Sequence, residues 1–400
     1  MLSYQQAREL VIARTIALSR GPQTESLSLL NTLDRILAQD ILSDRDYPPF
    51  DRSIRDGYAV RSADTHPGAR LTCIGELKAG DTPSVSIQPG TCIQIMTGAA
   101  LPDRADAVIM IEHTERNAGT VTLDRAIKPG HHVVARGSEQ SAGKIVLTRG
   151  TRLGFAQIAA AAQVGAAELT VCRKPRIAIL STGDEVVDFT ATPGPFQIRN
   201  SNSASLTAQV ATLHAEAILL GNAKDTRDDL RAKITAGLES DALLLSGGVS
   251  AGKYDLVEPI LREIGAEFIF DAVAIRPGKP LVFALCKGKP VFGLPGNPVS
   301  TMVTFDLFVR PVLDILAGTN PRPLPFFEVI VTERLSERPG LTHFLPAKAE
   351  FGEHPRVTPL PWQGSGDIVA MSRANCLLVV PPDRETIEAG ERVQVLPRGL

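Results

Sequence analysis

The apolar positions change period twice along the chain. Over residues 68–150 they form short alternating runs punctuated by glycine, at 71–74, 92–96, 107–111, 120–123, 132–135 and 145–147. That spacing predicts a small β barrel or sandwich. After Pro175 strand and helix periods alternate: strands at 176–180, 216–220 and 242–245, helices at 202–213, 226–238, 255–264 and a long one at 298–317. Alternation of this kind predicts a largely parallel sheet with helices on both faces. From Pro321 prolines mark a linker, and a tail follows with strand runs at 326–332, 343–349 (weakened by Pro346), 376–380 and 393–396, read as a small separate β domain. At the start, Leu10, Ile12, Ala13 and Ile16 recur at helical spacing behind Ser3, a helix-capping residue. Glu9 among Arg8, Arg14 and Arg20 argues for a structural helix over a transit peptide.

An open parallel sheet binds ligands at the carboxyl ends of its strands, so the residues expected there matter most. The run Leu243-Leu244-Leu245 stops at Ser246-Gly247-Gly248-Val249-Ser250, and Asp255 opens the next helical pattern. Glycines let backbone approach a phosphate closely, and the first N–H groups of a helix point at an anion. The letters Gly247 to Lys253 half-match a nucleotide P-loop, but Tyr254 replaces the Ser or Thr that would bind magnesium. The same edge should carry Ser181-Thr182-Gly183-Asp184-Glu185, Asp225 and Gly293-Leu294-Pro295-Gly296-Asn297-Pro298. Carboxylates beside phosphate cradles suit a hard, oxygen-seeking cation such as Mg²⁺. The turn Arg276-Pro277-Gly278-Lys279-Pro280 supplies cations for an oxyanion. Taken singly, each of these reads as a turn or a helix cap; their coincidence at one edge favours a ligand site.

Outside this region, Pro48-Pro49 forbids a helix, and the loop through Asp51, Arg52, Arg55 and Asp56 ends in the turn signal Asp56-Gly57. Thr97 lies in a tight turn after the run 92–96, where its hydroxyl would bond its own backbone. His131 and His132 are adjacent, so in a strand they would face opposite ways. Gln363-Gly364-Ser365-Gly366-Asp367 reads as a flexible polar connection.

The composition narrows the class. At 400 residues, 44% hydrophobic and 22% charged, the chain is long enough for two or three domains. A formal net charge of -2 without a Lys/Arg block recommends neither nucleic acid nor an anionic membrane as partner. The five cysteines form no C-x-x-C pair, which fits a reducing, cytoplasmic setting. No run approaches the roughly 18 apolar residues of a membrane span.

Taken together, the stretches 48–60, 95–102, 181–185, 246–255, 277–280, 293–300 and 363–366 resemble, in order, those of the bacterial molybdopterin molybdenumtransferases of the MoeA type, a family shared with the gephyrin E domain. The resemblance covers nearly the whole chain. It implies a multidomain α/β plus β protein: an α/β domain similar to molybdopterin adenylyltransferase with a mostly parallel sheet at 175–322, joined by the N-terminal helix of 1–25. A connecting domain would use 26–45 and 141–174, a β-rich inserted domain 46–140, and a C-terminal β-barrel 323–400. The implied reaction inserts molybdate into adenylylated molybdopterin with Mg²⁺-dependent release of AMP, in a homodimer. Molybdopterin adenylyltransferase and molybdoenzyme maturation proteins are the implied partners.

By motif, Glu185, Asp225 and Asp255 would be metal-binding and catalytic. Asp56 and Thr97 would also be catalytic, reaching a neighbouring subunit's cleft. Arg276, Lys279 and Ser365 would hold molybdate, and Ser181, Thr182, Gly183, Ser246, Gly247, Gly248, Ser250, Pro295, Gly296 and Asn297 would bind the pterin nucleotide. Two departures stand out. Arg276 replaces the Lys that commonly precedes Pro-Gly-Lys, and Pro346 stands where an Arg often follows the Phe of the second barrel strand. The alternatives are a gephyrin-like scaffold and a tungstate-inserting paralogue.

Overall fold

The computed structural model describes residues 1–19, 21–248 and 256–398. They form two compact units, each discontinuous in sequence: one of 1–25, 34–38 and 170–400, the other of 26–33 and 39–169.

The first unit is built on a six-stranded sheet. Its strands are β1 (Arg176–Thr182), β2 (Glu216–Ala223), β3 (Ala242–Ser246), β4 (Glu267–Ala272), β5 (Pro280–Cys286) and β6 (Lys289–Leu294), in spatial order β2-β1-β3-β6-β5-β4. The pairings β1–β2, β1–β3 and β3–β6 are parallel, whereas β5 and β4 add antiparallel at one end. Strand alternation divides the apolar side chains between two cores. Ile177, Ile179, Ala242 and Leu244 enter one, and Ala178, Leu180, Leu243 and Leu245 the other.

Four helices illustrate how these cores are covered: α1 (Tyr4–Leu18), α2 (Ser201–Thr212), α3 (Arg227–Gly237) and α4 (Val257–Glu263). Tyr4, Ala7 and Val11 of α1 and Leu206 and Val210 of α2 close the first core; Leu230 and Ile234 of α3 with Val257, Ile260 and Leu261 of α4 close the second. Ser3 does cap α1, in a reciprocal box with Gln6. The buried face of α1 is nevertheless Tyr4, Ala7, Val11 and Thr15, leaving Leu10 and Ile16 exposed. The helix expected at 298–317 is interrupted by one π segment: α5 (Pro298–Thr304), π turn Phe305–Val309, then α6 (Arg310–Leu316).

The tail closes a five-stranded barrel in the cyclic order Thr342–Glu350, Arg356–Pro359, Phe327–Val331, Arg392–Pro397, Cys376–Val380, and back to Thr342–Glu350. Pro346 does not weaken its strand: it pairs opposite Leu377, and its carbonyl accepts from Leu360 N–H at 3.0 Å. The barrel packs against the α/β region. Phe344, Leu377, Val379 and Leu396 belong to the same apolar core as Tyr4, Phe283 and Phe308.

The second unit contains a six-stranded sheet in the order Ala107–Met110, Gly57–Val60, Thr91–Ile95, Arg70–Leu77, Thr120–Leu123, Thr114–Asn117. Gly57 is not the turn residue that Asp56-Gly57 suggested but the first residue of its strand. A Cβ there would lie 1.9 Å from the Ile109 carbonyl oxygen, so the position requires the absence of a side chain. His131 and His132 also depart from expectation. His132 takes a left-handed backbone (φ 58) ahead of the strand Val133–Val134, which brings the two rings to 4.3 Å between centroids. Among the described residues no helix is long and apolar enough to cross a membrane.

Candidate functional site

The carboxyl ends of β1, β3 and β6 open into a cavity of about 1030 Å³ within the first unit. Its lining includes Ser181, Thr182, Glu185, Ser246, Gly247, Arg276, Lys279, Pro295, Gly296, Asn297 and Ser365. Eleven of the expected site residues therefore meet at one place. Gly183 and Gly248 stand next in the chain to lining residues. Ser250 and Asp255 lie outside the described residues.

The floor is a hydrogen-bonded frame. Ser181 Oγ accepts from Asn200 Nδ2 at 2.9 Å and lies 2.8 Å from Ser203 Oγ, so this buried hydroxyl positions the start of α2. Asn202, in the first turn of α2, donates through Nδ2 to Ser246 Oγ and to the Gly296 carbonyl, both at 2.8 Å. One side chain thus ties the ends of β3 and β6 together. Gly247 and Gly248 follow with φ of 88° and 62°, and a Cβ on Gly248 would sit 2.7 Å from Thr182 Oγ1. Backbone this close, beside a buried Thr182 hydroxyl that has no partner among the described residues, forms a cradle for an oxygen-rich ligand.

At β6 the chain turns through Pro295–Asn297 and enters α5 with Pro298 at its first turn. Asn297 makes no side-chain cap; its Nδ2 donates instead to Ser365 Oγ at 2.9 Å, and Val299 N–H donates to the Ser365 carbonyl at 3.0 Å. The polar loop 363–367 is therefore pinned to the cavity rim, and Asp367 caps the following helix Ile368–Arg373 by accepting from Ala370 N–H at 3.0 Å. At the other side Arg276 pairs in a ladder with His343 of the barrel. Its Nη1 lies 3.3 Å from Glu337 Oε2, and the buried His343 Nδ1 lies 3.0 Å from the same oxygen without hydrogen-bond alignment. Lys279, three residues on, is exposed to the cavity with no ion-pair partner among the described residues.

Of the carboxylates, Glu185 lines the cavity. Asp225 follows β2 as expected but is not among the lining residues. Its N–H donates to Asp184 Oδ1 at 3.2 Å. Partial burial, then the charges of Asp184 and Glu185, push its carboxyl above the ordinary carboxylate value. A cation beside Asp225 would offset the charges of these two neighbours. No group of three metal-ligating side chains is preassembled among the described residues.

In the second unit Asp56 Oδ1 accepts from both Thr97 N–H at 2.7 Å and Thr97 Oγ1 at 2.9 Å. The backbone bond, then the hydroxyl, holds the Asp56 carboxyl below the usual range. Thr97 thus bonds a carboxylate in place of its own backbone. Asp51 and Arg52 are engaged locally, Asp51 Oδ1 accepting from Arg136 N–H at 2.7 Å and Arg52 Nη2 donating to Glu139 Oε1 at 2.7 Å. Sequence reasoning missed several lining residues, among them Asn200, Asn202 and Arg199. Asn200 and Asn202 carried a readable signal as polar residues opening the helix at 202; Arg199, a lone exposed Arg in an irregular stretch, carried none.

Comparison with known proteins finds relatives that match nearly the whole chain. The family model for the MoeA N-terminal region (domains I and II) matches residues 2–165, that for a probable molybdopterin binding domain residues 178–315, and that for the MoeA C-terminal region (domain IV) residues 328–397. The chain is 34% identical to the molybdopterin molybdenumtransferase of Haemophilus influenzae, over 99% of this chain and 98% of that protein. It is 32% identical to that of Bacillus subtilis, over 96% and 92%. Among solved structures, a molybdopterin biosynthesis MoeA protein of Pyrococcus horikoshii superposes with a TM-score of 0.83 at 34% identity, covering 100% of both chains.

Proposed function

The chain belongs to the MoeA family, and from that premise we propose that it is a molybdopterin molybdenumtransferase, inserting molybdate into adenylylated molybdopterin with release of AMP. The observation that carries this reading is the cavity at the carboxyl edge of the sheet, which joins a glycine cradle with a free hydroxyl to a turn bearing Arg276 and Lys279. The cradle suits phosphate oxygens, whose charge the backbone N–H groups and the Thr182 hydroxyl can meet. Lys279 supplies a compact point charge for molybdate. Arg276, its guanidinium oriented by Glu337, supplies a planar fork, with Ser365 and Asn297 at the rim. Held this way, molybdate faces the pterin's dithiol: two Mo–S bonds form as one molybdate oxygen leaves with the two thiol protons as water, and a water cleaves the phosphoanhydride to pterin phosphate and AMP.

The donor set fits Mg²⁺. A hard cation usually takes one or two protein carboxylates and completes its shell with substrate phosphate oxygens and water. Glu185 and Asp225 are the carboxylates that would hold it, with Asp255 as a third donor. When bound, it neutralises charge on the phosphoanhydride. Asp56 and Thr97 are assigned to a cleft completed by a second copy of the chain, in a cytoplasmic homodimer.

The test supplies the purified chain with adenylylated molybdopterin, Mg²⁺ and molybdate, omitting each in turn. AMP release that depends on molybdate and on Mg²⁺, with a pterin product able to activate an apo-molybdoenzyme, is the expected result. Equal AMP release without molybdate would contradict the proposal.

A further inference from the structure

The cavity has two cationic ends. Among the described residues its lining carries Arg199, Arg276 and Lys279. Arg276 and Lys279 lead into β5, whereas Arg199 precedes Asn200, whose side chain is bonded to Ser181 on β1. In the sheet β1 and β5 are separated by β3 and β6. Three strand spacings of ~4.8 Å put the strands beside the two ends roughly 14 Å apart at the backbone.

Arg199 is prepared for an anion. Its Nε donates to the Ala191 carbonyl at 3.0 Å, which fixes the plane of the guanidinium and leaves both terminal nitrogens without a partner among the described residues. It belongs to the short strand Ile198–Arg199, paired parallel with Val186–Val187, so its backbone is anchored as well. Beside it α2 begins, a helix of 12 residues whose first N–H groups face the same edge. Thr182, next to Ser181 on β1, sends its side chain to the other face of the sheet, where its buried hydroxyl lies against Gly248, so the Arg199 end is formed by Arg199 and the start of α2. Both terminal nitrogens of an Arg held by Nε can engage two oxygens of one phosphate.

We infer that Arg199 is the phosphate clamp of this cavity: it binds the adenylyl phosphate of the pterin nucleotide, while Lys279 and Arg276 bind molybdate at the far end. This assignment rests on the reaction proposed above. It divides the two anionic substrates between two guanidinium- or ammonium-bearing poles. The carboxylate Glu185 lies on the β1 side, where a phosphate-bound cation would be needed.

The experiment compares the full chain with Arg199→Gln, Arg199→Lys and Lys279→Gln, measuring KM for each substrate and, separately, AMP binding by calorimetry without turnover. Loss of a bidentate charged contact should raise the KM for adenylylated molybdopterin and weaken AMP binding by roughly tenfold or more in Arg199→Gln, with the KM for molybdate unchanged. Arg199→Lys, which restores charge without the fork, should fall between. Lys279→Gln should raise the molybdate KM and leave AMP affinity alone. Unchanged AMP affinity in Arg199→Gln, or a molybdate KM raised as much as the pterin KM, would overturn the assignment. A wild-type chain that binds AMP through Arg199 yet releases none from substrate would refute the proposed reaction and leave the clamp standing.

Discussion

At the scale of single residues, two positions show how neighbours decide what a side chain does. Gly57 has no room for a Cβ because the Ile109 carbonyl fills that space. Gly57→Ala should therefore force two strands apart and destabilise the chain by on the order of 3 kcal/mol or more, read as a lowered denaturation midpoint. Asp225 carries the opposite sort of tension. Because its carboxyl is raised above 3.8, the folded chain binds that proton more tightly than the unfolded chain does. The stabilisation from protonation is complete below 3.8 and is lost as pH rises through the raised value. Asp225→Asn stays neutral throughout, so its melting temperature should exceed that of the parent at neutral pH and converge with it in acid. Solvent screening keeps the difference below about 1 kcal/mol. The same variant should lose Mg²⁺-dependent AMP release, giving a gain in stability coupled to a loss in activity.

At the scale of elements, the cavity depends on strand ends being held in register with one another. Asn202 does this for β3 and β6 with two hydrogen bonds. Asn202→Ala should cost about 1–2 kcal/mol in unfolding free energy and lower kcat/KM for AMP release, since both loops it holds line the site. Urea melts and steady-state kinetics on the same preparation would check both effects. The strands and helices of the α/β region were legible because their periods differ and because the strands, buried on both faces, are continuous apolar runs. Less was legible in α1, where apolar residues occupy several faces and the packing against Phe308 and its neighbours selects Tyr4, Ala7 and Val11. Pro346 misled for a related reason. Proline forbids a donor, but its carbonyl still serves the barrel through Leu360.

At the scale of the whole molecule, the barrel is joined to the α/β region by a common core and by the site itself. Phe344 meets Tyr4 edge-on, with ring centroids 5.4 Å apart, and Ser365 reaches Asn297 at 2.9 Å. Deleting residues 323–400 would expose that core, so the truncated chain is expected to aggregate, and the intact first unit to melt in one calorimetric transition covering sheet and barrel together. An α/β fragment that remained soluble and melted cooperatively would contradict this. By itself the sequence determined the parallel strands with their helices and the glycine-rich and charged loops at the strand ends, because periodicity and turn chemistry are local properties; it did not give β4 and β5, the antiparallel end of the sheet. Only the tertiary structure decided which of those loops share a cavity, that Ser181 serves the frame, that Asn202 links two strands, and that Arg199 lines that cavity. Those facts depend on contacts between residues far apart in the chain, and no local pattern encodes the distance between them.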